Sequence, residues 1–269
     1  MNIKRHFSLA GLIVFTTTIS IGQIANPDLG ARNAAMAGSS LVLTDGWSLF
    51  NNVGSLGKLD QTQLISGYRM PYAVSSFQTM TFGYVRTFQD FNAGIGISKF
   101  GDSGYNEQQI RIAIANKIQM VSLGGALLLN QYHVSFQPNK QQLLFNFGGK
   151  VEIIPKWLIG AFINNTVKSS PRVNREVPMV LKLGISYQPI SSLIINSTVQ
   201  KSTRSAEEFK FGMEYYLNDI IAFRTGFNTQ THLLSIGIGL NFPKFILDYA
   251  YSDQQPLGAI HEISINRPL

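Results

Sequence analysis

The residues from Phe209 to Leu240 alternate between apolar side chains and small, polar or charged ones, and this period of two limits the fold more than any other feature. Phe211, Phe223 and Ile236 belong to the apolar set, and the positions between carry charges or glycine. Since a strand sends successive side chains to opposite faces, each alternating stretch predicts a β-strand with two different environments. A soluble sandwich buries its apolar face under a second sheet, whereas a membrane barrel turns that face to lipid. The alternation alone leaves both folds open.

Composition and the N-terminus favour the membrane barrel. Only 14% of the 269 residues are charged, against about 25% in ordinary soluble domains. Residues 1–22 are predicted to be a secretory signal peptide, because Lys4 and Arg5 precede an apolar stretch and small residues precede Gln23. After this segment no apolar run of about 20 residues occurs, which argues against helical membrane spans. The absence of cysteine excludes a lipoprotein anchor and a disulfide scaffold.

Residues 61–269 contain about fourteen candidate strands, and twelve is the alternative count. Short connections such as Asn218-Asp219 and Pro243-Lys244 alternate with longer ones such as Lys168 to Pro178. Outer-membrane barrels combine short periplasmic turns with longer external loops, and bacterial ones have an even number of strands. We therefore expect an all-β protein: a transmembrane antiparallel up-and-down β-barrel in the bacterial outer membrane. Both termini are expected in the periplasm, with outer-membrane lipid and lipopolysaccharide around the wall.

Charged residues fall on the polar side of these strands. An Arg or Lys that faces lipid at mid-depth costs about 2–4 kcal/mol, so charges are expected to point into the lumen. The predicted lumen-lining charges are Arg111, Lys150, Glu152, Lys182, Lys210, Glu214, Arg224, Asp248 and Glu262.

Residues 23–60 show no such alternation. Small residues dominate from Gly30 to Ser39, and Trp47 and Phe50 follow them. Because large apolar side chains are usually buried, we interpret this segment as a plug or hatch inside the barrel, near one end.

Two stretches resemble the PorV/PorQ family, which lies within the FadL-like superfamily of fourteen-stranded outer-membrane barrels. The run from Gly30 to Ser39 (GARNAAMAGS) is similar to that family's opening Gly-Ala-Arg-x-Ala-x-Met-Gly-Gly-Ala, with Ala37 as a departure. The run from Asn51 to Gly54 stands where the family usually has Asn-Pro-Ala-Gly, and Gly258 to Ile265 is similar to its last strand. The resemblance implies a hatch motif formed by Gly30, Ala31, Arg32, Asn33, Met36, Gly38, Asn51, Asn52 and Gly54.

The resemblance implies two functions. PorV-like members hold or shuttle secreted proteins in type IX secretion, and FadL-like barrels move small hydrophobic molecules through a hatch and a wall opening. FadL-like uptake uses large external loops, and the connections here are short. The expected function is therefore an accessory or protein-interaction role in type IX secretion, with other outer-membrane or secretion proteins as partners. The alternative is a FadL-like transporter of small hydrophobic ligands.

The sequence favours no enzyme and no cofactor. No Gly-x-Ser-x-Gly motif occurs, and His133 and His232 lie near serines without an evident carboxylate partner. No cluster of residues has the spacing of metal ligands. Loss of Lys4 and Arg5 lowers the formal charge from +7 to +5, a modest excess that does not indicate nucleic-acid binding.

An external basic rim is also predicted. Its residues are Lys168, Arg172, Arg175, Lys201 and Arg204. They are expected either to contact acidic glycolipid phosphates or an acidic partner, or to be a solvated rim.

Overall fold

A computed structural model of the chain describes residues 28–164 and 178–269. Within them, fourteen antiparallel strands form one closed barrel. The strands are β1 (Gln63–Pro71), β2 (Thr79–Thr87), β3 (Asn92–Gly101), β4 (Tyr105–Ile118), β5 (Val121–Val134), β6 (Lys140–Ile154), β7 (Trp157–Asn164), β8 (Val180–Ile190), β9 (Leu193–Ser202), β10 (Glu208–Tyr216), β11 (Ile221–Asn228), β12 (Leu233–Phe242), β13 (Phe245–Gln254) and β14 (Gly258–Pro268).

Each strand pairs with its neighbours in the chain, and β1 closes the barrel against β14. That seam runs from the pair Gln63 and Pro268 to the pair Pro71 and Ile260. A closed sheet leaves no free edge, which is the condition for a sheet to span lipid. The predicted antiparallel barrel is confirmed, with fourteen strands.

The two faces of the wall differ as the alternation predicts. On β4, Arg111 and Ala113 are buried, while the adjacent Ile112 is 61% exposed. Phe223 and Ile236 are about half exposed, so no second layer covers them. The buried face of a single-layer barrel is its lumen face, and the exposed apolar face is the one suited to lipid.

Connections at one end of the barrel contain two to four residues, for example residues 119–120, 155–156 and 217–220. We call this end the turn side and the opposite end the loop side. β1 begins and β14 ends on the turn side. The periplasmic position of both termini stays a prediction.

Some strand ends differ from the sequence-based expectation. β2 begins at Thr79 rather than near residue 75, because Tyr72 and Ala73 adopt positive φ and a 3-10 turn follows at Ser75–Phe77. Residues 102–104 and 255–257 form loop-side connections of only three residues, although longer ones were expected. The first is tight because the Asp102 carboxylate accepts hydrogen bonds from the Gly104 and Tyr105 amides, at 2.8 and 3.2 Å.

Residues 28–59 lie inside the barrel, and we call them the lumen segment. They contain two short helices, α1 (Ala31–Ala35) and α2 (Ser48–Asn51), and a 3-10 helix begins at Val53. Across residues 28–164 and 178–269, no helix is both long and apolar enough to cross a membrane. The predicted signal peptide, residues 1–22, lies outside the described residues.

A charge on the lipid-facing side of β12 tests this arrangement of faces. We expect Ile236→Arg to lower the free energy of unfolding in lipid vesicles by about 2–4 kcal/mol, because the guanidinium replaces an apolar contact with lipid. Urea unfolding, followed by tryptophan fluorescence, measures the change. Ile236→Leu is the matched control and should leave stability nearly unchanged. Equal stability of the Arg and Leu variants would contradict the assignment of faces.

Candidate functional site

The lumen segment rests against glycines of the barrel wall. A Cβ atom added at Gly226 would lie 2.6 Å from the backbone nitrogen of Ala37, and one at Gly212 would lie 2.6 Å from the Met36 Cβ. Real Cβ atoms essentially never come this close, so the wall leaves no room for side chains there. Wall glycines in such contact with the segment are Gly67, Gly83, Gly94, Gly96, Gly124, Gly148, Gly160, Gly184, Gly212, Gly226 and Gly237. Because they come from most of the strands, the segment is held by the wall on nearly all sides.

The second half of the lumen segment, residues 46–59, is held mainly by apolar packing. Trp47, Leu49, Phe50 and Leu56 are each at most 2% exposed and belong to one core cluster with wall residues such as Ile65. Burial of a large apolar side chain contributes about 1.5–3 kcal/mol. This half also continues directly into β1, so it is anchored both by packing and through the chain.

Polar wall side chains complete this anchoring by binding carbonyl groups. Arg111 donates hydrogen bonds of 2.8 Å to the carbonyl oxygens of Leu49 and Phe50, at the C-terminal end of α2. Asn92 donates to the carbonyl oxygens of Leu56 and Leu59 at 2.6 and 2.9 Å. A cation at a helix C-terminus interacts favourably with the helix dipole, so Arg111 is well placed to fix α2.

The first half of the lumen segment, residues 28–45, combines buried apolar residues such as Met36 and Val42 with several ionic contacts to the wall. Asp28 forms ion pairs with Lys182 and, at 2.7 Å, with Lys210. Burial raises the pKa of the Asp28 carboxyl, but the two ammonium groups outweigh burial and leave the pKa well below its usual value. The Gly30 amide donates to the Glu262 carboxylate at 2.7 Å. Asp28 thus stays charged at neutral pH and ties the start of the segment to β8 and β10.

Arg32 joins the first half to a chain of alternating charges. Its guanidinium donates two hydrogen bonds to Glu214, at 3.0 and 2.6 Å, and one to Asp45 at 3.1 Å. Arg224 in turn binds Glu214 at 2.6 Å and Asp248 at 2.7 Å. Removal of one partner from a buried ion pair costs about 3–5 kcal/mol, since the other charge stays buried. Arg32 is therefore a strong attachment point between segment and wall.

The predicted hatch-motif residues all lie in the lumen segment, and most of them fix its own fold. The Asn51 side chain accepts from the Leu29 amide at 2.9 Å and donates to the Leu29 carbonyl at 2.8 Å. Asn52 donates to the Leu41 carbonyl at 3.1 Å, which joins the two halves. Gly30 and Gly38 adopt φ angles of 95° and 78°, which favour glycine. The remaining motif residues are Ala31, Arg32, Asn33, Met36 and Gly54, and the Gly54 backbone packs on the carbonyl of Gly148.

The predicted lumen charges lie on the lumen face, with one difference in burial. Eight of them are at most 5% exposed: Arg111, Lys150, Lys182, Lys210, Glu214, Arg224, Asp248 and Glu262. The side chain of Glu152 is 44% exposed at the turn side and lies 3.5 Å from Lys58. The sequence did not indicate their partners Asp28 and Asp45, because both lie in the segment without periodicity.

Three residues of the predicted basic rim, Lys168, Arg172 and Arg175, lie outside the described residues. Lys201, near the end of β9, is about half exposed and pairs with Glu207 at 2.5 Å. Arg204 and Glu207 both lie in the connection between β9 and β10, residues 203–207. An acidic partner for this rim stays a prediction.

A cavity of about 650 Å³ indents the wall where β14, β1, β2, β3 and β4 adjoin. Its lining is largely apolar and lipid-facing, and we call it the wall cavity. Behind it Gly67 adjoins the Trp47 ring on the lumen side. The strand pairing from β1 to β4 shows no register shift, so the wall is closed here. Main lining residues are Tyr68, Met80, Phe82, Ile97, Ile110 and Ile263.

Two of the described histidines make side-chain contacts with an amide and a hydroxyl. His133 contacts Asn139 at 2.8 Å, and His261 contacts the Tyr249 hydroxyl at 2.8 Å. In the part of the chain that the structure describes, no group of three His, Cys, Asp or Glu residues is placed to hold a metal ion.

Comparison with solved structures identifies the fold class. The chain is similar to the toluene transporter TbuX of Ralstonia pickettii, with a TM-score of 0.72 and 13% identity over 90% of this chain and 98% of that one. It is similar to the CymD monoaromatic hydrocarbon channel, with a TM-score of 0.71 and 13% identity over 89% and 97%. The outer membrane protein Omp33 of Acinetobacter baumannii gives a TM-score of 0.54 and 6% identity over 78% and 98%.

No family model and no curated protein matches the sequence. The low identities show a shared fold only. The chain therefore shares the closed antiparallel barrel fold of these outer-membrane proteins.

A larger residue at Gly226 tests the seal between segment and wall. We expect Gly226→Val to push the backbone at Met36 and Ala37 away from β11, and to raise ion conductance in planar bilayers roughly tenfold, because a lumen of this strand number is wide enough to pass water once unfilled. Gly125→Val is the control, since its Cβ would face lipid with the Phe145 ring 3.4 Å away. A folded Gly226→Val barrel with unchanged conductance would contradict the seal.

Proposed function

We propose that this protein is a gated outer-membrane channel for small apolar molecules. The observation that carries the proposal is the lumen segment, which fills the barrel and is held by non-covalent contacts on nearly all sides. Open porins leave an aqueous channel through the barrel. A filled lumen suits a selective channel in which passage depends on a shift of the segment.

The wall cavity supports an apolar solute. Its volume of about 650 Å³ lies within the range of about 300–1,000 Å³ that is common for ligand pockets. Side chains such as Met80, Phe82 and Ile97 offer apolar contacts, and Lys99 is the one charged residue in the described lining. The fold likeness to a toluene transporter and a monoaromatic hydrocarbon channel adds support for a solute with a single ring.

The first half of the lumen segment is the part that we expect to move. Its ion pairs, such as Asp28 with Lys210, can be replaced by water when the lumen is hydrated from the loop side. Movement of the second half would expose Trp47, Leu49 and Phe50 to water. This half is also linked directly to β1 by the chain. Movement of residues 28–45 would open a path beside β6 to β14, where their contacts with the wall lie.

The accessory role in type IX secretion rests on the sequence resemblance at residues 30–54 and 258–265. No contact or cavity described above favours it over transport. Location in the outer membrane with both termini in the periplasm is part of the present proposal, as is contact of the wall with lipid and lipopolysaccharide.

Toluene uptake into intact cells tests the proposal, because a lipopolysaccharide leaflet slows apolar solutes that a simple bilayer would pass. Cells with the gene deleted should take up labelled toluene more slowly, and the wild-type gene should restore the rate. Ser66→Trp should abolish the restoration by filling the wall cavity. Ile185→Trp is the matched control on the opposite wall, lipid-facing on β8.

Two results would overturn the transport proposal. One is a toluene uptake rate that does not depend on the gene. The other is equal uptake by the Ser66→Trp and Ile185→Trp variants, both recovered as folded barrels. Stable co-purification with secretion components, together with gene-independent uptake, would favour the accessory role instead.

A further inference from the structure

A second cavity lies inside the barrel, between α1 and the wall on the loop side. Its volume is about 200 Å³, and we call it the lumen cavity. Ala34 and Ala37 form its floor, and Arg69, Thr231 and Glu262 lie in its wall. It is separate from the wall cavity, since it faces the lumen and its lining mixes charged and polar residues with apolar ones.

Within residues 28–164 and 178–269, three polar groups of the lumen cavity have no hydrogen-bond partner. Glu262 is 4% exposed; one carboxylate oxygen accepts from the Gly30 amide, and the other, Oε2, accepts from no donor. The Arg69 Nε and the Thr231 hydroxyl are likewise buried without a partner. Buried polar groups are normally hydrogen-bonded, and each exception costs about 1–3 kcal/mol. Three exceptions around one cavity indicate that a ligand completes the site.

Arg69 and Glu262 form a long ion pair without a hydrogen bond. The Arg69 Nε lies 3.8 Å from the Glu262 Oε2, which is too long for a hydrogen bond. The neighbouring Asp28 and Lys210 already bind each other at 2.7 Å. The cavity therefore presents one anion and one cation that each retain capacity for a further strong hydrogen bond.

We propose that the lumen cavity binds a small zwitterion of the α-amino acid class. The ligand ammonium group donates to the Glu262 Oε2, and the ligand carboxylate accepts from Arg69. A simple cation would face Arg69, and a simple anion would face Glu262, so each is disfavoured by one like charge. A volume of about 200 Å³ equals that of about seven waters, which suits a small amino acid. This site goes beyond the proposed transport of apolar molecules.

Occupancy of the site has a consequence for the lumen segment. Glu262 also holds the Gly30 amide, at the start of the first half. A ligand that binds only the closed arrangement stabilises it by mass action. Amino-acid binding is therefore expected to raise the unfolding temperature of the barrel.

Calorimetric titration of the purified full-length protein in detergent tests the proposal. L-alanine should bind at one site per chain, and methylammonium, acetate and glycerol should bind at least about tenfold more weakly. Equal binding of methylammonium or acetate would overturn the zwitterion assignment, and a cavity that holds only water would give no heat with any probe.

Two variants locate the binding. Glu262→Gln keeps a carbonyl oxygen for the Gly30 amide and removes the charge, so L-alanine affinity should fall at least about tenfold. Arg69→Gln removes the partner of the ligand carboxylate and should have a similar effect; its side chain is 26% exposed, so the barrel should tolerate the change. Glu207→Gln, on a loop away from the cavity, is the control. Unchanged affinity in either cavity variant, with a folded barrel shown by heat-dependent gel mobility, would overturn the proposal.

Discussion

Every polar group of a membrane-spanning wall has to find its partner within the protein, and the rest of this structure depends on that constraint. The backbone meets it by closing β1 against β14, which leaves no unpaired edge. The side chains meet it by alternation, which sends charges such as Arg224 and Glu214 inward. Closure then creates a second requirement. The charged side chains that line the lumen need counter-ions, and the space beside the lumen-facing glycines has to be filled. The lumen segment supplies them, as counter-ions in one half and as apolar contacts in the other.

The two kinds of contact divide the lumen segment into parts with different responses to water. Ion pairs such as that of Arg32 with Glu214 are strong while buried and can be exchanged for hydration. The packing of Trp47 and Leu49 gains from the exclusion of water and has no such substitute. This difference between the halves is the reason why the proposed movement is assigned to residues 28–45.

The sequence predicted the barrel well because period two is a local signal that repeats in strands such as β10, β11 and β12. The same alternation is the basis of the expectation that charges point inward, and eight of the nine named charges are buried. It did not predict the partners, since Asp28 and Lys210 are 182 residues apart and only the folded chain brings them together. The motif behind the secretion hypothesis has a structural explanation: residues such as Asn51 and Gly54 fold the lumen segment or seat it on the wall. Such residues indicate architecture, and they are a poor guide to what a barrel carries.

The hydrogen bonds from Gly30 and Ala31 to Glu262 and Ser264 join the start of the described chain to its last strand. During biogenesis these bonds form only after synthesis has reached the C-terminus. The same strand, β14, pairs with β1, and β1 follows the lumen segment in the chain. Pairing of β14 with β1 and binding of the lumen segment to β14 are therefore coupled in one late step. If the barrel closed before this step, the lumen segment would have no simple route into the lumen.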